Sequence, residues 1–146
     1  MIHPNMATML GYVTTDAKIS KSLLQNLIAR TTDRTFNMIS VDRDTSTNDS
    51  LFAMANGLAG NSEINDINSE DCKIFADALY YVLEYLAKAI ARDGEGATKL
   101  IEVEVVNAAS FDEAKTVGMS VITSHLVKTA IYAKYRDWET DRKSVV

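Results

Sequence analysis

The order and patterning of the sequence predict an α+β fold, mixed β-sheets layered with helices. Three observations carry this. An amphipathic stripe opened by Ser69 runs to Asp93-Gly94, the length of a long helix, and a strictly alternating run from Lys99 to Val106 is the pattern of a strand with one wet face. Around them, strand-like and helix-like runs follow one another in the order β-α-β-β-α-β-α-β.

The first strand covers residues 8 to 15, Thr-Met-Leu-Gly-Tyr-Val-Thr-Thr, rich in strand formers and apolar enough to be buried largely on both faces, with Gly11 marking a close backbone approach. Ser20, or the capping-box spacing that starts at Ser22, opens a helix over about 20–32 whose Leu23, Leu24, Leu27 and Ile28 recur at helical intervals. Phe36 to Val41 reads as a short strand. The polar turn Asp42 to Asp49 and the apolar run Leu51 to Ala55 then complete a hairpin with it. Residues 57 to 68 are polar and glycine-containing, a surface loop.

Ser69 caps the long helix, Glu70 and Asp71 sit where the helix dipole favours negative charge, and Phe75, Leu79, Val82, Leu83, Leu86 and Ile90 form its apolar stripe. In the alternating strand Ile101, Val103 and Val105 share one face and Glu102 and Glu104 the other. A shorter helix over about Phe111 to Ile122 and a last strand, Leu126 to Ala133, close the order.

Composition narrows the function. The 146 residues suit one domain, 47% apolar and 24% charged, with one proline. A net charge of -5 with scattered lysines and arginines lacks the basic stripe that holds a phosphate backbone, so nucleic acid is not an expected partner. Apolar stretches are broken by charge too often to span a membrane, and the start has no basic segment leading an apolar one. The expected setting is the cytosol. Cys72 is the only cysteine and reads as a buried or half-buried structural thiol; His3 and His125 have no ligand spacing to it or to each other, so no metal is expected.

The informative local feature is Ala7-Thr8, a small residue before a threonine that opens an apolar run. A threonine hydroxyl is a poor nucleophile without a neighbouring base, and cutting the chain before it supplies one, its own new α-amino group. From local pattern alone, the first residue of a strand is the favoured reading of Thr8, and only the rest of the chain shifts that balance.

Five segments in one order extend this: Met1-Ile2-His3-Pro4-Asn5-Met6-Ala7-Thr8-Met9-Leu10, Thr14-Thr15-Asp16-Ala17, Asp44-Thr45-Ser46-Thr47-Asn48-Asp49, Arg92-Asp93-Gly94-Glu95-Gly96-Ala97-Thr98-Lys99, and Leu126-Val127-Lys128-Thr129-Ala130. The series resembles the ornithine acetyltransferase family, the glutamate N-acetyltransferases of arginine biosynthesis, from Met1 to about Ala133. The resemblance implies the αββα sandwich of self-cleaving ornithine acetyltransferases and aminopeptidases, here incomplete. It further implies a cut between Ala7 and Thr8, with residues 1–7 ending the upstream chain and 8–134 beginning the smaller, nucleophile-bearing chain.

By the same resemblance Thr8 is the nucleophile and a substrate contact, taking acetyl from N-acetylornithine and passing it to glutamate. Some members also accept acetyl-CoA as donor. Glu95 corresponds to the family's substrate-contacting glutamate, set between two glycines; from spacing alone the solvated glutamate of a helix-ending loop is the favoured reading, and only the resemblance reverses it. No organic cofactor or metal is implied. The implied partners are the upstream chain and a second cleaved pair, a heterotetramer.

Some positions depart from the family. Arg43 stands where members usually have glycine, and the side chains of the Asp44–Asp49 turn either cap the hairpin through local hydrogen bonds, the preferred role, or help line the pocket beside Thr8, with no catalytic role assigned. The match opens at Met1, after the family's Lys-Gly-Ser-Gly segment and the donors of its oxyanion hole, so the 146 residues alone are expected to be inactive; each lost donor is worth about 3 to 4 kcal/mol. Residues 135–146 read as a foreign tail, because Asp141 to Val146 can be encoded by GAT CGG AAG AGC GTC GTG, a short-read library adapter in frame. The rival readings are an amidohydrolase or aminopeptidase of the same self-cleaving architecture, in which water resolves the acyl-enzyme, and a non-catalytic structural domain.

Overall fold

The structure, a computed structural model, describes residues 9–44 and 49–133. The tail assigned to 135–146, the junction between Ala7 and Thr8, and residues 45–48 of the polar turn lie outside the described residues. Strand β1 is Leu10–Thr15 and strand β2 is Ser50–Ala55. They pair in parallel, Leu10 opposite Ser50 and Thr15 opposite Ala55. Helices α1 (Lys21–Arg34), α2 (Glu70–Arg92), α3 (Phe111–Ile122) and α4 (His125–Tyr132) complete the elements, with a short 3-10 helix at Phe36–Met38. Helices and a small parallel sheet together make an incomplete α+β fold, as the sequence predicts.

The hairpin expected at residues 36–55 is not formed. Phe36–Met38 winds into a 3-10 helix because it closes α1: Thr35 donates its backbone N–H to the Thr32 carbonyl and its hydroxyl to the Thr31 carbonyl at 2.8 Å, which leaves Phe36 buried in the core. β2 then pairs with β1 instead, and α1 lies in the crossover that a parallel pair requires. β1 is also not buried on both faces. Its burial alternates, Leu10 and Tyr12 being 60% exposed while Gly11 is buried, and Tyr12 stacks on Phe52 across the open face with ring centroids 5.3 Å apart. A short apolar run without periodicity does not show which face is covered.

The last segment also departs from expectation. Leu126–Ala133 belongs to a helix, not a strand: the Ser124 hydroxyl accepts from the Val127 N–H at 3.4 Å, and Val127, Lys128 and Ile131 fall on one half-buried face. Lys99–Val106 keeps its alternation, Ile101, Val103 and Val105 half-buried and Glu102 and Glu104 exposed, but joins no strand ladder among the described residues. Alternation reports a dry side and a wet side; it does not supply a hydrogen-bonding neighbour.

The core forms between α1 and α2. Leu23, Leu27, Phe36, Ile64, Cys72, Leu79, Leu83 and Ala87 make one buried cluster, which confirms Cys72 as a buried thiol. Ser69 caps α2 as expected, its hydroxyl accepting from the Cys72 N–H at 3.2 Å. The apolar stripe is turned slightly from its expected centre: Val82 is exposed, and Cys72, Leu79, Leu83 and Ala87 point inward. The expected surface loop 57–68 is pinned to the segment before α1, because Asn61 bonds both the N–H and the carbonyl of Lys18, and Ile64 is buried and bridges to Ile19.

One exposed ion pair ties α3 to α1, Lys115 Nζ lying 3.1 Å from Asp33 Oδ1. The Asp33 carboxyl is held below the ordinary aspartate range, first by a hydrogen bond from Asn37 and then by the hydrogen bond and charge of Lys115. A depressed carboxyl pKa stabilises the folded state above the unfolded value and loses that contribution as the pH falls through the folded one. Because the pair is solvated, Lys115→Ala should cost no more than about 0.5 kcal/mol at neutral pH. Urea titrations across pH should show the gap between variant and parent closing below about pH 4.

Candidate active site

The described chain begins one residue after Thr8, and that residue is held at both of its backbone groups. Met9 donates its N–H to Asp49 Oδ1 at 2.6 Å, and its carbonyl accepts from the Ser50 N–H at 2.9 Å. The second bond is the start of the β1–β2 ladder. The first comes from a side chain 40 residues away that the ladder does not need. Instead of serving a hairpin, Asp49 thus reaches across to β1, while a local bond from the Asp44 N–H to Asp42 Oδ1 at 3.0 Å turns the other end of the segment. Arg43 within that turn adopts φ +69°, the left-handed region where glycine carries no steric penalty, so the expected glycine has a conformational reason.

Glu95 follows the C-terminus of α2. Its two glycines do different work. A β-carbon on Gly94 would come within 2.9 Å of Val41 Cγ1, so Gly94 allows the helix end to pack against the segment after the 3-10 helix, whereas Gly96 takes φ +72° and lets the Gly94 carbonyl accept from the Ala97 N–H at 2.8 Å. The loop presents Glu95, exposed, on the wall of a broad groove of about 1040 Å³ between α2, the extended 99–104 segment, α3 and α4.

The groove carries both signs of charge. Lys88 pairs with Glu84 at 3.3 Å and Glu102 at 3.5 Å; burial alone would lower its pKa, but the two carboxylates outweigh that and hold it raised. Lys99 donates to the Ile131 carbonyl at 2.6 Å. Lys128 donates to the Val41 carbonyl at 2.6 Å and the Ser40 carbonyl at 3.4 Å, and its pKa is lowered, chiefly by burial. Glu95 has no hydrogen bond or ion pair with any described residue, which leaves its carboxylate available to a ligand. No group of His, Cys, Asp and Glu among the described residues has the arrangement of a metal site. Nor is any helix among them long and apolar enough to cross a membrane.

Two of these residues escaped the sequence reading. The segment holding Asp49 reads first as a local turn and second as a wall beside Thr8, but no pattern singles out Asp49 itself; the parallel pairing brings it to Met9. Lys128 sat in a segment read as a strand; its place on α4, facing the carbonyls of residues 40 and 41, follows from the Ser124 cap, which was the available signal.

Residues 1–140 match the model of the ArgJ family. The chain belongs to the ArgJ family. It is 55% identical over 138 residues to the arginine biosynthesis bifunctional protein ArgJ of Symbiobacterium thermophilum and, to the same extent, to that of Bacillus licheniformis, covering 94% of this chain and 34% of each relative. This ArgJ-family chain therefore spans about a third of the length of the curated relatives it matches. It is also similar to the crystal structure of the arginine biosynthesis bifunctional protein argJ of Bacillus halodurans, with a TM-score of 0.85 and 52% identity over 90% of this chain and 61% of that one.

Proposed function

We propose that the full-length protein is a glutamate N-acetyltransferase of arginine biosynthesis that moves acetyl from N-acetylornithine to glutamate through an acetyl-threonine. The observation that carries this reading is the family match, which runs through the Ala7-Thr8 junction, among relatives named as bifunctional proteins of arginine biosynthesis.

In this reading the precursor cuts itself between Ala7 and Thr8, and the freed α-amino group of Thr8, with an unperturbed pKa of about 8, is neutral in a useful fraction of molecules at pH 7. It removes the proton of the Thr8 hydroxyl as Oγ attacks the acetyl carbonyl carbon. The tetrahedral intermediate collapses by breaking the amide C–N bond, and the ammonium returns the proton to the leaving amine of ornithine. The amine of glutamate then attacks the threonine ester, the C–Oγ bond breaks, the proton lost by the nitrogen restores the hydroxyl, and N-acetylglutamate leaves. A histidine is not needed. Acetyl-CoA is a second donor for the same ester, in line with the word bifunctional in the relatives' names, and no cofactor or metal takes part.

Glu95 supports the reading as an exposed carboxylate on a loop built to present it, suited to the cationic end of ornithine. The upstream chain supplies the oxyanion donors, and two cleaved pairs make the assembly, in the cytoplasm. Intact-mass analysis of the precursor, completed at both ends with the flanking segments of the Symbiobacterium thermophilum relative, tests this: two pieces with Thr8 newly N-terminal are expected, and an uncut chain would leave a structural domain. Assays of transfer from N-acetylornithine to glutamate against hydrolysis of peptide amides separate the acetyltransferase from an amidohydrolase.

In the same protein Glu95→Gln should raise the KM for N-acetylornithine by about tenfold or more with kcat little changed, the effect of losing one charge-assisted contact made equally in ground and transition states. An unchanged KM would return Glu95 to the role of a solvated loop residue.

A further inference from the structure

Among the described residues, outside the ladder and the groove, one long-range polar contact lies next to the proposed nucleophile in sequence, the bond from the Met9 N–H to Asp49 Oδ1 at 2.6 Å. We infer that Asp49 is a positioning residue for Thr8, fixing through that bond the peptide that joins Thr8 to Met9 and so the backbone from which the nucleophile projects. The inference rests on the reading of Thr8 given above and adds a residue to it.

A strand edge needs no such device. The Met9 carbonyl is already taken by Ser50 and the register from Leu10 onward is set by six facing pairs, so the carboxylate adds control only at the N–H of residue 9. That N–H lies on the peptide plane whose other half is the carbonyl of Thr8, and a trans peptide is planar. A carboxylate accepting from a backbone N–H makes one of the stronger and shorter hydrogen bonds. Holding the plane at Met9 therefore restricts rotation on the near side of the threonine. Both proposed events at Thr8, cutting and acyl transfer, depend on where Oγ stands relative to a carbonyl carbon, and misplacement by about an ångström can cost a hundredfold.

The test uses the completed full-length protein with Asp49→Ala, Asp49→Leu, which keeps the shape without an acceptor, and Asp49→Asn, which keeps one. Self-cleavage is followed by intact mass, kcat and KM for N-acetylornithine are measured on cleaved protein, and thermal melting is recorded for each. Asp49→Ala and Asp49→Leu should cut and turn over about tenfold to a hundredfold more slowly, with KM unchanged. Asp49→Asn should recover to within a few fold of the parent. Parental cleavage and kcat in either acceptor-free variant overturns the proposal. So does a loss of melting temperature with kcat per folded molecule unchanged, and so does failure of both variants to fold, since the bond would then serve the fold alone. Thr8→Ala separates the two levels. If it still transfers acetyl, the reading of Thr8 falls and this proposal with it; if it is silent while Asp49→Ala works at the parental rate, only the role of Asp49 falls.

Discussion

Alanine at Thr8 should leave the completed precursor as one chain and lower acetyl transfer from N-acetylornithine by a factor on the order of 10⁴ or more, the scale on which removal of a nucleophile is felt. In the proposed mechanism Thr8→Ala takes away the Oγ that attacks the scissile carbonyl and the Oγ that carries acetyl, so both signals should disappear together. Thr8→Ser keeps a hydroxyl on the same backbone and should cut and transfer measurably, at a reduced rate. Intact mass and a coupled assay of N-acetylglutamate read the two events independently. A Thr8→Ala protein that folds and transfers acetyl at the parental rate would dismiss the mechanism, whatever its cleavage state.

The largest expected effect on stability comes from the middle of α2. Leu83 is 0% exposed, at the centre of the cluster that joins α1, the 3-10 helix and α2. Leu83→Ala should cost about 2 to 5 kcal/mol, the lost burial plus a cavity that close-packed neighbours fill only in part. Its neighbour Val82 is 41% exposed, and Val82→Ala should cost less than about 1 kcal/mol. Urea unfolding of both variants in the completed protein measures the contrast. Equal losses would show that the inward face of α2 is misassigned.

The helices were largely legible in the sequence because each carries its own signals. Ser69 with Glu70 and Asp71 marks the start of α2, and the spacing of Leu79 and Leu83 marks its buried face, all within one segment. The strands were less legible because a strand is completed by a neighbour that local pattern does not name. Leu51 to Ala55 was found as a strand, yet its partner is β1 and not the segment before it; Lys99 to Val106 shows clean alternation with no described partner. Phe36 and Leu126 illustrate the ambiguity of short apolar runs, where a capping hydroxyl or a helix end decides between strand and helix.

The site follows the same division. Thr8 and Glu95 are proposed as site residues through an ordered family pattern, since neither residue type is distinctive where it stands. The structure places Glu95 on the groove, while Thr8 lies outside the described residues. Asp49 is not singled out within its segment by the sequence, because its contact with Met9 spans 40 positions.

That span also governs timing. The acceptor for the Met9 amide is synthesised 40 residues after Met9 itself, and the parallel partner of β1 ends only at Ala55, so the two ends can meet only after the segment holding α1 has been made. A nascent polypeptide emerging from the ribosome therefore lacks the Asp49 bond at Met9 until the crossover closes. Under the proposed self-cleavage, scission that depends on this bond would come only after the chain has folded past Ala55.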